Sequence, residues 1–402
     1  MNYFVYVVCG GKEYINELNF SLKFLRHFSQ YPILVLTDKS RNEIEIEHDN
    51  IIDIRTPINY SNHQAHLYLE TSLPHHVNPQ EDDTYCYLDS DVIAVSDEIN
   101  QVFEHFLLPV RFAQDHCTID YFSAGIMKCT CGEEFEQIEK QFNFLQTYFP
   151  VFDRNNEKIC NDSDQLKLFF RKIKENPFAG NFLGFRYIWK RYFSQQQKLT
   201  MNNKFVFDKT DKCWYNFSGQ LIDYDHNYFK KRLWKKFDIR FKNNRWENRR
   251  GKELKPEYPY CSHLREHMRK HYNITIPAGW RQWNGGVFLF KKESVDFMDL
   301  WHKNMIKEFE LTNKRIYDDQ GTLAACAWQL GAQNIKPLSV KFNFIADYGN
   351  KNVGYDPSAG YTYNGFNTTF KPAFLHIYHH WGDESWDIWQ SVTELGQKHK
   401  II

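Results

Sequence analysis

Tyr85-Cys86-Tyr87-Leu88-Asp89-Ser90-Asp91-Val92-Ile93-Ala94-Val95 is an apolar run interrupted once, by two carboxylates one residue apart. The aromatic-rich half before Asp89 reads as a buried β-strand, and the acidic tripeptide falls at its carboxyl end. Working outward, the first hundred residues alternate between strands and helices. Tyr3 to Cys9 is a strand ending at Gly10-Gly11, Leu18 to Phe28 carries apolar residues at helical spacing, and Ile33 to Thr37 is a second strand stopped by Asp38. Ile51 to Ile54 makes a third strand, stopped by Thr56-Pro57, and His66 to Leu73 a helix expected to halt before Pro74. Such alternation predicts an α/β fold with a mostly parallel sheet covered by helices on both faces. In such sheets ligands bind beyond the carboxyl ends of the strands. Gly10-Gly11, Asp38 and Asp89-Ser90-Asp91 all fall there.

From about 115 to 278 the pattern breaks into scattered cysteines, many aromatics, a basic segment and few clean strands. Alternation returns with Gly279-Trp280-Arg281-Gln282-Trp283-Asn284-Gly285-Gly286, a strand from Val287 to Phe290 and a helix from about Ser294 to Phe309. Tyr317-Asp318-Asp319-Gln320 then heads another helix, and the chain closes through Phe374-Leu375-His376-Ile377-Tyr378-His379-His380-Trp381-Gly382. The expected organisation is one domain from 1–114 and 279–402, with 115–278 as a large mixed insertion. A competing arrangement pairs the early half with Phe122-Ser123-Ala124-Gly125-Ile126-Met127 and Asp162-Ser163-Asp164-Gln165, which loosely echo Asn284-Gly285-Gly286-Val287 and Asp318-Asp319-Gln320.

The 402 residues suffice for a large core. Fifty basic and fifty acidic side chains balance to zero formal charge, which argues against a protein built to coat nucleic acid. Aromatics reach 17%, a figure that suits both core packing and sugar stacking. Nine cysteines, an odd number, fit a reducing compartment better than a secreted one. The opening MNYFVYVVCGGKE has no signal-peptide pattern, and no run approaches 18 apolar residues. A cytoplasmic protein is expected.

Two carboxylates separated by one residue at a strand end can project toward one point. Hard oxygen donors of this type suit Mg²⁺ or Mn²⁺ held together with substrate phosphates. The plainer reading of Asp89-Ser90-Asp91 is a strand stop and turn cap.

The context favours the first reading. The 85–95 segment resembles the DxD segment of glycosyltransferases with the GT-A fold, in particular the glycogenin-like and lipopolysaccharide galactosyltransferase-like group (family 8 type). Phe4-Val5-Tyr6-Val7-Val8-Cys9-Gly10-Gly11 resembles that family's nucleotide-binding start, and Trp283-Asn284-Gly285-Gly286-Val287-Phe288-Leu289-Phe290 its glycine-containing strand beside the sugar. Asp318-Asp319-Gln320 resembles its acidic-Gln helix start, and Phe374-Leu375-His376-Ile377-Tyr378 its closing segment. The resemblance spans roughly 1–114 and 279–382.

It implies a GT-A type, Rossmann-like sheet and metal-dependent transfer of a hexose from a nucleotide-sugar, in the first place a UDP-sugar, to a glycan, glycolipid or protein acceptor. Asp89, Asp91 and His376 would hold Mn²⁺ or Mg²⁺, with His379 and His380 as alternatives to His376. Val8, Cys9, Gly10, Gly11, Asp38 and Ser90 would contact the nucleotide. Asn284, Gly285 and Gly286 would let the backbone approach the donor sugar, as glycine permits, and Asp319 and Gln320 would face the reacting centre. The resemblance favours retention of configuration over inversion.

Two family features are missing. The helix before the DxD strand offers only His63 and His66 as basic residues, and Gly382 leads into Asp383-Glu384-Ser385-Trp386 instead of a Lys-Pro-Trp ending. A sugar nucleotidylyltransferase would share the sheet and the metal but would open on a longer Gly-rich loop with an Arg. A non-catalytic carbohydrate- or nucleotide-binding module is a further alternative.

Within the insertion, Lys230 to Lys252 carries eleven basic residues against Asp238 and Glu247, interleaved with Tyr228, Phe229, Trp234, Phe237, Phe241 and Trp246. The stretch 228–252 reads either as peripheral contact with an anionic lipid surface or charged acceptor, or as a solvated segment. It lacks a nucleic-acid-binding signature. Cys129-Thr130-Cys131 and Cys261-Ser262-His263, with Cys117 nearby in sequence, offer ligands for a structural Zn²⁺. Unpaired thiols are the plainer reading.

Overall fold

Five strands from the first 118 residues and one from the second half of the chain build one six-stranded sheet in the order β3-β2-β1-β4-β13-β6. Its strands are β1 (Asn2–Val7), β2 (Ile33–Thr37), β3 (Ile51–Asp53), β4 (Thr84–Leu88), β6 (Arg111–Thr118) and β13 (Arg281–Phe290). A computed structural model describes residues 1–127, 129–131, 137–138, 140–141, 162–175, 189–201, 204–225, 239–242, 245–254, 261–311, 319–346, 353–358, 360–363, 368–377 and 379–402. The chain divides into two compact units, Met1–Cys129 with Tyr260–Ile402, and Thr130–Pro259.

In the larger unit the sheet is mostly parallel: β3-β2, β2-β1 and β1-β4 run parallel, and β13 pairs antiparallel with β4 and β6. The alternation along its strands is strict. Phe4, Tyr6, Cys86, Leu88, Val287 and Leu289 face one core, and Val5, Val7, Tyr85, Tyr87, Phe288 and Phe290 face the other. A strand has period two, so a sheet buried on both faces needs apolar residues at every position.

Helix α1 (Lys12–Phe28) covers the first face through Ile15, Leu18, Leu22 and Leu25. On the second face lie α2 (Asn62–Thr71) and α3 (Leu73–Val77), which contribute Leu69 and Leu73. Pro74 does not end a helix there. It sits in the first turn of α3, where a proline's missing N–H costs no bond. β5 (Val92–Ala94) follows the acidic tripeptide, and α4 (Ile119–Ile126) follows β6.

In the smaller unit, taken by itself, α5 (Asp162–Glu175) shares a core with a four-stranded antiparallel sheet. That sheet comprises β7 (Lys198–Met201), β8 (Phe205–Asp208), β9 (Cys213–Asn216) and β10 (Leu221–Tyr224). β11 (Ile239–Lys242) and β12 (Arg245–Asn248) form a hairpin. The six short strands correct the expectation of few strands here, since four-residue strands leave little periodicity to read. Lys230, Lys231, Arg232, Lys235 and Lys236, with Tyr228, Phe229, Trp234 and Phe237, lie outside the described residues.

The larger unit resumes with α6 (His263–Tyr272), the long β13, α7 (Val295–Leu311) and α8 (Asp319–Gln329). β14 (Phe344–Ile345), the meander β15 (Val353–Asp356), β16 (Gly360–Tyr363) and β17 (Thr368–Phe370), then β18 (Phe374–His376) and α9 (Asp387–Lys398) complete it. The echo between 122–127 and 284–287 is not a structural repeat, because the first lies in α4 and the second in strand β13.

Asp38, just past β2, is 1% exposed. Its carboxylate accepts hydrogen bonds from Ser40 N (3.1 Å), Ser40 Oγ (2.5 Å), Thr56 N (2.9 Å) and Thr56 Oγ1 (2.7 Å), with the Arg55 guanidinium at 3.3 Å. Burial pushes this carboxyl up, but the bonds from Ser40 and Thr56 outweigh it and hold the group well below the usual carboxylate range. A depressed folded pKa means the stabilisation is present above the unfolded value of about 3.9 and is lost as pH falls through the folded value. Asp38→Asn is expected to cost on the order of 2 kcal/mol at neutral pH. It should also flatten the acid limb of the stability profile, as read by urea unfolding across pH. An unchanged acid limb would assign the acid sensitivity to other carboxylates.

Candidate functional site

β4 ends at Leu88, and the Asp89 backbone N–H donates to the Gly286 carbonyl (3.0 Å) while Val92 N–H donates back to the Asp89 carbonyl (3.0 Å). This turn hands the chain to β5, which pairs antiparallel with β18 so that Val92 stands opposite His376. Ile377 N–H donates to the Asp91 carbonyl (3.0 Å). The result is that one ligand atom from each of Asp89, Asp91 and His376 lies within 4.8 Å of the others. His376 Nε2 is 3.3 Å from Asp91 Oδ1, and the Tyr87 hydroxyl donates to Asp89 Oδ1 (2.6 Å). His380 instead lies 3.3 Å from Asp383 through Nδ1, and both His379 and His380 are exposed.

A chain of amides sets the imidazole's tautomer. Gly286 N–H can only donate, so the Asn284 oxygen it meets (3.0 Å) is an acceptor. Asn343 Nδ2 donates to that same oxygen (2.8 Å), which leaves Asn343 Oδ1 to accept from His376 Nδ1 (3.0 Å). Asn284 Nδ2 in turn donates to Asp115 Oδ2 (3.2 Å). With Nδ1 committed to donation, Nε2 is the nitrogen that faces the two carboxylates, and loss of its proton would give the lone pair that metal-binding histidines offer.

The cluster opens on a cavity of about 350 Å³. Of the residues expected from the sequence, Val8, Cys9, Asp89, Ser90, Asp91 and Asp319 line it. Gly10 (φ +107°) turns the chain beside Asn62, where a Cβ would meet the Asn62 side chain at 2.7 Å. Gly11 is the N-cap of α1. A Cβ on Gly285 would collide with the Asp319 carboxylate, and one on Gly286 with His376 and Asp89. Gln320 accepts from Gln282 Nε2 (2.8 Å). Asp38 and Asn284 are both buried outside the lining: Asp38 braces the loop after β2, and Asn284 braces the histidine. Asp318 and Tyr378 lie outside the described residues.

Sequence reasoning missed Tyr14 and Glu17 on α1, Asn62 and Glu70 on α2, and the bracing pair Asn343 and Asp115. The α2 set had a signal, since Asn62, His66 and Glu70 recur every four residues and share one helix face. Asn343 had none.

Negative charge is crowded here. Burial, then the neighbouring Asp91 carboxylate, push Asp89 up to about 6 against the pull of His376 and Tyr87. Burial, Asp91 and Glu13 push Glu17 up to about 7. Burial and His63 hold His66 down to about 4. At His376 burial opposes the charged ring, but Asp91 and Asp89 outweigh it and raise the group to about 8. Among the lining residues there is no Lys or Arg. Two carboxylates and an oriented imidazole form a donor set that fits a divalent cation, and the missing Cβ at Gly286 is what lets the His376 ring and the Asp89 carboxylate come together there.

Replacing Asn343 by Leu removes the acceptor that orients His376. It is expected to weaken Mn²⁺ binding about 10–100-fold, read as free Mn²⁺ by electron paramagnetic resonance titration, and Gly286→Ala should act in the same direction. Unaltered affinity in both variants would remove His376 from the metal site.

No family model matches the chain, and no curated protein matches its sequence. Among solved structures it is similar to a galactosyltransferase, LgtC, in complex with donor and acceptor sugar analogs, at 11% identity and a TM-score of 0.42 over 99% of this chain and 96% of that one. It is also similar to mouse xyloside xylosyltransferase 1 in its apo form, at 9% identity and a TM-score of 0.38 over 94% and 99% of the two chains. A third likeness is to the bifunctional glycosyltransferase WbbM, at 10% identity and a TM-score of 0.34, covering 94% of this chain and 45% of that one.

Proposed function

We propose that this chain is a metal-dependent glycosyltransferase that moves a hexose from a nucleotide-sugar, first of all a UDP-sugar, to a glycan, glycolipid or protein acceptor. The observation that carries the reading is the convergence of Asp89, Asp91 and His376 on one point, with His376 behind the two carboxylates that line a cavity at the carboxyl edge of a mostly parallel sheet. Ligand sites of α/β sheets lie at that edge. Val8-Cys9, just past β1, forms part of the same cavity and would offer backbone groups to a base and ribose.

Charge narrows the ligand further. A cavity with several acidic side chains and no Lys or Arg in its lining would repel a diphosphate unless a cation came between them. Asp89, Asp91 and His376 would hold Mn²⁺ or Mg²⁺, which when bound would neutralise charge on the departing diphosphate. The protein's own residues do the rest. Tyr87 and the Asn284–Asn343 relay keep Asp89 and His376 in position. Gly285 and Gly286 let the Asp319, Asp89 and His376 side chains pack directly against the β13 main chain, and Asp319, at the head of α8, borders the cavity where the sugar would sit. Asp319 and Gln320 are assigned to the reacting centre, with retention of configuration preferred.

The donor site is assigned to 1–114 and 279–402, which share one compact unit with 115–129 and 260–278, and acceptor recognition is assigned to the rest of the insertion. Within them, the basic 228–252 stretch suits an anionic glycolipid surface. No helix among the described residues is long and apolar enough to cross a membrane. A cytoplasmic location is proposed on the odd number of cysteines, and work at a membrane surface on the basic 228–252 stretch.

Nucleotide release from UDP-, GDP- and CDP-sugars, with Mn²⁺ and with chelator, tests the reading. Metal-dependent release of UDP is expected, and Asp91→Asn should reduce it by about 10²–10³-fold without changing the melting temperature by more than a few degrees. Absence of turnover with every donor would leave a binding module as the better account, and full activity of the Asp91 variant would remove the carboxylate pair from the reaction.

A further inference from the structure

A second cluster of ligand-type side chains lies away from the acidic cavity. One ligand atom each from Cys129, Cys131, Cys261 and His263 falls within 4.8 Å of all the others. Cys129 Sγ is 3.4 Å from Cys261 Sγ, and Cys261 Sγ is 3.3 Å from His263 Nδ1. We propose that these four residues form a closed, structural zinc site.

The spacing argues for a shared cation. Around tetrahedral zinc, with Zn–S about 2.3 Å and Zn–N about 2.0 Å, ligand atoms stand about 3.5–3.8 Å apart. The observed separations come within a few tenths of an ångström of that. A disulfide would need about 2.05 Å between sulfurs, and none joins the described cysteines. Three sulfurs and an imidazole are the soft and borderline donors that zinc selects over Mg²⁺ or Mn²⁺. With four protein ligands no position is left for substrate, so the site is structural.

Its surroundings are built to hold it. Cys261 is fully buried just before the N-terminus of α6, and His263 is the first residue of that helix. Ser123, buried on α4, donates through Oγ to Cys261 Sγ (3.1 Å) and accepts from the Leu264 backbone N–H (2.9 Å). A hydrogen bond of this kind orients a metal-bound sulfur. Ile119 of α4 and Leu264 and Met268 of α6 share one apolar cluster beneath it. Binding would release the protons of three thiols as zinc–sulfur bonds form, and would pin the segment that follows α4 to the start of α6. The inference does not depend on the donor site.

Metal analysis of the full chain, purified with a weak chelator to strip the acidic site, tests it. About one zinc per chain is expected, retained in Asp91→Asn and lost in Cys129→Ser and His263→Ala. Stripped wild-type chain titrated with Co²⁺ should develop thiolate-to-metal charge-transfer and tetrahedral bands, a readout that requires no variant to fold. Zinc-free protein whose stripped form gives no such bands would overturn the proposal. So would two thiols that resist alkylation until a reductant is added, since that marks a disulfide.

Discussion

The antiparallel pairing of β4 with β13 governs the geometry of the site. Leu88 stands opposite Val287, so the next residues outward, Asp89 and Gly286, are joined by a backbone hydrogen bond. That bond brings the β13 main chain against the Asp89 carboxylate and, through the β5–β18 pairing, against His376. No side chain fits there. Glycine at 285 and 286 is therefore a demand for space, unlike Gly10, where a positive φ is also required.

The same closeness concentrates charge. Asp89 and Glu17 are held up toward neutrality by burial and by Asp91, and His376 is raised by the two carboxylates it faces. Each group is displaced in the direction that lowers net negative charge, and a buried cluster of this kind is relieved by a cation. The Asn284–Asn343 relay matters because it anchors His376 to a backbone donor, a partner whose role cannot invert.

Aromatic content takes on a definite meaning in the fold. Tyr87 stacks on Phe288 (4.7 Å), Phe288 on Phe112 (4.6 Å), and Phe112 on Trp283 (5.5 Å), a ladder crossing β4, β13 and β6 inside the core. Cross-strand stacks of this kind stabilise sheets. Much of the excess that composition left open between packing and sugar stacking is thus used for packing. Tyr87 adds a polar contact to its packing, since its ring lies in the ladder and its hydroxyl reaches Asp89.

Local pattern determined the strands β1, β2 and β4, the helices beside them, and the placement of Asp89-Ser90-Asp91 at a strand end, because period and punctuation are properties of neighbouring residues. The pair of glycines on β13 and the polar face of α2 could likewise be read along the chain. What sequence spacing did not contain was proximity between distant segments: Asn343 beneath His376, Asp115 beneath Asn284, Glu17 beside Asp91. It placed Asp38 among the nucleotide contacts, and did not contain the hydrogen bonds from Ser40 and Thr56 that make its buried carboxylate a brace of the loop after β2. Strand pairing brings residues hundreds of positions apart into contact, and only the tertiary structure sets which polar atoms then meet and which carboxylates must share one buried space.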